Sequence, residues 1–201
     1  MADERSLAGQ EVICGGWLPE PITDLRDDEQ MSSAAELVSL ANKLGDALNG
    51  SSVENVPGAL PQLAEILAGE TDAEVIAAAV GALGLAWDFQ AAQIILDHVR
   101  IDHPDADVRL AVAQSLPCGV DVDGPVGAAV MEALITLTRD EETDVRDWAC
   151  CGLGQMNAAG PAARDALAAR LDDADDEMIC LLQIRAAAEL ADLQLHPCFG
   201  A

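Results

Sequence analysis

Six cysteines and three histidines are the side chains of this 201-residue sequence best suited to nucleophilic or metal chemistry. The cysteines are Cys14, Cys118, Cys150, Cys151, Cys180 and Cys198. No C-x-x-C pair occurs among them, so the spacing that holds zinc or a redox dithiol is missing. Nothing marks the chain as secreted, where a disulfide framework would form. Cys150 and Cys151 are adjacent within an apolar helical pattern. Neighbours on a helix point about 100° apart, which suits them badly to share one metal, and both read as small buried hydrophobes. His98 lies four residues after Ile94 on the apolar side of a helix, and His103 precedes Pro104. Neither has a carboxylate or Cys at metal-ligand spacing beyond what so acidic a chain supplies by chance. Cys150 and His98 have the types of a nucleophile and its base, but nothing in the sequence brings them together.

The carboxylates do no better. Asp121-Val-Asp-Gly124 has part of a calcium loop, yet the remaining ligand spacing is absent; an Asp-Gly turn is the reading that needs no ion. The run Asp172-Asp-Ala-Asp-Asp-Glu177 reads as a solvated turn whose acids cap the next helix. No glycine-rich phosphate loop appears, and Gly81, Gly84, Gly152 and Gly154 lie in Ala-rich helical context, where they permit close helix packing. Trp87 and Trp148 read as core, Trp148 on an apolar stripe, while Trp17 falls in an N-terminal tail. No catalytic residue, metal ligand or cofactor is therefore expected.

Charge narrows the partners. Against 36 acidic residues stand one lysine, Lys43, and nine arginines, a formal charge of −26. Such a chain is repelled by nucleic acid and by anionic membranes, so neither is an expected partner. The start of the sequence lacks the pattern of a secretory signal, and no run approaches the ~18 apolar residues of a membrane span. The last four residues formally fit a prenylation box, but Phe199 and Gly200 are not aliphatic. The cytoplasm is the expected location. Alanine contributes 37 residues and Tyr none, a balance that favours helix because Ala loses no side-chain entropy there. The expectation is an all-α protein.

What must position any functional surface is a repeat. Asp72-Ala-Glu-Val75, Asp105-Ala-Asp-Val108, Glu142-Thr-Asp-Val145 and Asp175-Asp-Glu-Met178 each open with an acid, a residue, an acid and an apolar side chain. The apolar positions are spaced 33, 37 and 33 apart, a period that suits a helix–turn–helix solenoid unit. In the first three units a small or apolar residue follows four later (Ala79, Val112, Ala149) and a Leu eight later (Leu83, Leu116, Leu153). Gly84, Pro117 and Gly154 come nine later and are expected to end these helices. The acids meet the unpaired N–H groups of the first turn. Shorter amphipathic stretches supply the other helix of each pair: 61–67, 91–101, 125–137 and 161–171, with Pro125 and Pro161 at their first turns.

The stretches at 105–117 and 144–154 resemble HEAT repeats, most closely the short bacterial class found also in phycobilin lyase subunits. The likeness runs over about 57–190. It implies a right-handed α–α superhelix, an α-solenoid of helical hairpins, and a ladder of acids and arginines linking neighbouring units. Asp107, Arg109, Asp144 and Arg146 match the ladder positions, whereas Ile76 and Ile179 stand where Arg is expected. The last unit also aligns four residues later, and both registers stay open.

Residues 1–30 are expected to be a mostly irregular acidic tail, and 31–201 the array: about four repeats behind a helix over 31–48 that carries Leu37, Leu40, Leu44 and Leu48 near one face. The apolar C-terminal end, Ile179 to Leu195, suggests self-association, a covering partner or an array cut short. A non-catalytic scaffold that binds another protein through its concave face is the expected function. The exposed positions two and six after each key Val would carry it: Ala77, Gly81, Leu110, Gln114, Asp147 and Cys151. The alternative that the resemblance implies is a phycobilin lyase or isomerase, or its accessory subunit. A HEAT-like DNA glycosylase is disfavoured by the charge and by the few aromatics available to hold a flipped base.

Overall fold

The structure, a computed structural model, describes residues 25–50, 58–158 and 160–170, with the side chains of 25–32 left out. These residues form eight α-helices and no strand. They are α1 (Leu25–Leu48), α2 (Ala59–Gly69), α3 (Ala73–Gly84), α4 (Phe89–His98), α5 (Ala106–Ser115), α6 (Gly127–Leu137), α7 (Thr143–Gln155) and α8 (Pro161–Ala168). The fourth unit's second helix, the apolar C-terminal end, the 172–177 acids, Trp17 and His196 lie outside the described residues.

In α3 and α5 the cap and the stripe agree, whereas α7 forms on its stripe with no side-chain cap from Glu142. The Asp72 carboxylate accepts from the backbone N–H of Glu74 and Val75, and Asp105 does the same for Asp107 and Val108. Asp88 caps α4 in the same way through Gln90. Behind each cap the repeat residues are sealed off from solvent: Val75, Val108 and Val145, then Ala79, Val112 and Ala149, then Leu83, Leu116 and Leu153. Burying a Val or Leu side chain contributes about 1.5–3 kcal/mol, and no single hairpin holds enough partners to do so alone.

The hairpins α2–α3, α4–α5 and α6–α7 stack so that α1, α3, α5 and α7 form one row. Small residues let this row mesh closely. A Cβ on Gly45 of α1 would come within 3.1 Å of Ala82 of α3, and one on Gly84 of α3 within 2.7 Å of the Ser115 hydroxyl of α5. The first helices touch their counterparts (α2 on α4, α6 on α8) much more sparingly. An array packed more closely along one side bends towards that side, so the second helices line its inner face.

Several boundaries differ from expectation. α1 starts at Leu25 rather than Met31, taking in the end of the expected tail. Its buried stripe is Ala41, Leu44 and Gly45, with Leu37 and Leu48 half-buried and Leu40 exposed. Pro125 stands ahead of α6, which begins at Gly127; a Cβ there would lie 2.2 Å from the Val122 carbonyl oxygen, so the 121–124 turn sits directly on the helix start. Gly84 and Gly154 are helical and do not reverse the chain. The left-handed residues come later, at Gly50 after α1, Trp87 after α3, Gly119 after α5 and Asn157 after α7.

Candidate functional site

Among the described residues the charged residue that is buried is Arg109, next to Val108 on α5. Its Nε donates to Asp140 Oδ2 at 2.7 Å and its Nη2 to Asp140 Oδ1 at 3.0 Å, a two-pronged pair across the joint between the second and third hairpins. Its Nη1 donates to the carbonyls of His103 and Pro104, at 2.9 and 3.2 Å. Both side chains of the pair are 8 % exposed. Glu141, fully at the surface, adds a longer contact at 3.4 Å. Arg146 repeats the local half of this pattern: its Nη1 donates to the carbonyls of Asp140 and Glu141, six and five residues back, both at 2.9 Å.

Of the four residues matched to the ladder, Arg109 and Arg146 therefore engage turn carbonyls, and Arg109 reaches an acid of the next unit. Asp107 and Asp144 are exposed on the first turns of α5 and α7 and accept no side-chain bond among the described residues. The acid of the joint is Asp140, five residues before Val145. The equivalent place one unit earlier holds His103, and the equivalent of Arg109 is Ile76, which is buried. Both members of the earlier rung are thus replaced together: Ile76 and His103 line a common recess of about 210 Å³. There His103 Nδ1 accepts from the Asp105 N–H at 3.1 Å, supporting the start of α5 from behind.

Burial pushes the Asp140 carboxyl up, and the Arg109 guanidinium, helped by the Glu142 N–H, more than reverses this, leaving it below the usual carboxylate range. A carboxyl lowered in the folded state stabilises it fully above the unfolded value of about 3.9. That contribution is lost as pH falls through the folded value. Thermal melts between pH 7 and pH 3 should therefore show a loss of Tm confined to below about pH 4, and Asp140→Asn should flatten that limb. The pair Arg100–Asp102 is wholly solvated and adds little to stability.

Among the described residues, the types suited to catalysis are not brought together. Cys150 is fully buried on α7, while His98 is exposed at the end of α4, not on its apolar side. Burial pushes the Cys118 thiol up, away from the thiolate a nucleophile needs. Cys151 is buried and disulfide-bonded, which corrects its reading as a simple apolar filler. Among the described residues no group of three or more His, Cys, Asp or Glu could hold a metal ion. Asp121 makes a turn, its carbonyl accepting from Gly124 and its carboxylate from Asp123.

On the open side of the inner row, Gly81 and Gln114 are exposed and Ala77, Leu110 and Asp147 half-buried, while Cys151 is closed off. The two tryptophans expected in the core are at the surface: Trp148 is 37 % exposed and Trp87 63 %. For Trp148 the reason is its register. It sits three residues after the key Val, where Ala78 and Ala111 sit in the earlier units, and that position faces outward beside Ala77 and Leu110. The signal was available in the repeat alignment, since the equivalent residues are small.

Stacked two-helix units with sealed repeat positions and a guanidinium clamp across a joint define a helical-hairpin repeat protein, an α-solenoid. Residues 98–191 match the sequence model of the family described as HEAT repeats. This stretch therefore carries HEAT repeats, and the match takes in the joint built by Arg109 and Asp140. No curated protein matches it. Among the described residues no helix is long and apolar enough to cross a membrane.

Proposed function

We propose that the protein is a non-catalytic scaffold that binds another protein along its inner row of helices. HEAT repeats commonly serve as protein-interaction scaffolds. The observation that carries the reading here is the make-up of the open face. In a chain of charge −26, Ala77, Ala78, Gly81, Leu110, Ala111, Gln114 and Trp148 form an uncharged strip across three successive helices, with Asp147 its one acid. Such a strip loses little on desolvation, and an exposed tryptophan beside small residues suits the anchoring contact of an interface.

The test is the double variant Ala77→Arg, Leu110→Arg. Both positions border solvent, so arginine heads reach water and the melting temperature should stay within the ~2–4 °C that one kcal/mol represents. The partner retained by the wild-type protein in affinity purification from its native cell should be lost. Retention of that partner at wild-type level would show that the face is not the binding surface.

A further inference from the structure

Each of α1, α3, α5 and α7 is followed within four residues by one of positive φ, and the residue types differ in an informative way. Gly50 (φ 68°), Gly119 (φ 71°) and Asn157 (φ 51°) are residues that adopt the left-handed region at small cost. The fourth, Trp87 (φ 49°), is not: a bulky side chain there is a true outlier. Its ring gains little burial in exchange, being 63 % exposed. Strain without burial is not a packing solution, and strained positions that persist tend to serve function.

The surroundings define what the ring faces. Leu85 and Phe89, 38 % and 41 % exposed, stand two residues either side of it and extend the apolar corner. Gly119 closes against the Trp87 carbonyl and the Asp88 N–H, so tightly that no Cβ fits; Gly45 packs against Leu85 on the other side. The segments meeting here, 45–50, 84–90 and 117–124, contain Asp46, Asp88, Asp121 and Asp123 and neither Lys nor Arg. The corner is therefore an exposed indole on a backbone held by Gly119, in segments whose charged side chains are all carboxylates.

We propose that this corner is a second docking point, which takes a basic, arginine-bearing segment of another protein. A guanidinium stacks on the Trp87 face, where the ring's negative quadrupole attracts it, and the surrounding acids steer and orient it. Apolar neighbours of that arginine cover Leu85 and Phe89. The proposal does not rest on the inner row, since the corner lies at the turns and not on the helix faces.

The probe is a synthetic peptide alternating arginine and leucine, with a peptide carrying citrulline in place of arginine as its neutral control. In full-length protein with Trp17→Phe and Trp148→Phe, Trp87 is the only indole, and its emission should change saturably with the arginine peptide alone. Calorimetry with Trp87→Gly should show affinity reduced about tenfold or more, the effect of losing an anchor residue. The same variant should melt no lower than the wild type, because glycine relieves the strain. Equal affinity in Trp87→Gly, which would reduce the binding to bulk charge, overturns the proposal. So does the absence of saturable binding, or a lower Tm for Trp87→Gly, which would make the indole a packing residue. The Ala77→Arg, Leu110→Arg protein should keep the peptide while losing the inner-face partner, so each reading can fail without the other.

Discussion

Arg109→Ala should destabilise the protein by about 3–5 kcal/mol, the usual consequence of removing one partner from a buried ion pair. The loss has two parts. Asp140 keeps a carboxylate enclosed beside the core with only the Glu142 N–H to satisfy it, and the His103 and Pro104 carbonyls lose their donor. At the ~2–4 °C per kcal/mol of a chain this size, Tm should fall by roughly 10 °C, and urea midpoints measure the same change at constant temperature. The molecule also supplies a rescue. One unit earlier the same two places hold Ile76 and His103, so the double variant Arg109→Ile, Asp140→His reproduces a rung the fold already tolerates. It should recover more than half of the loss; a double variant no more stable than Arg109→Ala would show that the joint needs the charges themselves.

Gly119→Ala should cost about 2–4 kcal/mol, combining left-handed backbone strain with overpacking. The added Cβ would run into the Trp87 carbonyl and the Asp88 nitrogen, backbone atoms that cannot swing aside as a side chain could. Gly50 separates the two contributions. Its φ of 68° is nearly the same, yet nothing lies within 4 Å of its virtual Cβ. Gly50→Ala should therefore lose only the backbone share, about 1–2 kcal/mol. Denaturant titration of both variants isolates what the contact between successive turns contributes. Equal losses would mean that the turn at 117–120 yields, and that it does not hold Trp87 in place.

The repeat was legible in the sequence because it is written by burial. Val75, Val108 and Val145, with Leu83, Leu116 and Leu153, recur at a fixed place in each unit and occupy the same sealed place in the fold. The Asp caps were legible for a similar reason, being local events within three residues. Long-range pairing was not. The partner of Arg109 lies 31 residues away in a turn, and with 36 acids in the chain the conspicuous Asp107 and Asp144 drew attention from Asp140. Trp87 and Trp148 were misplaced because a large apolar ring near an amphipathic stripe was assigned to the core by type. Position in the repeat, which puts Ala78 and Ala111 in the place of Trp148, contradicted that assignment and deserved the greater weight.

The two joints of the array are held by different forces, and the difference gives the molecule a grain. Between α3 and α5 the contact is meshed glycine, alanine and serine with a rung of Ile76 and His103 in place of an ion pair. Between α5 and α7 one carboxylate holds the rung closed. Acidification should part the structure first along that single seam, splitting it into two blocks that each remain helical, with proteases gaining entry around 138–143 before anywhere else in the stack.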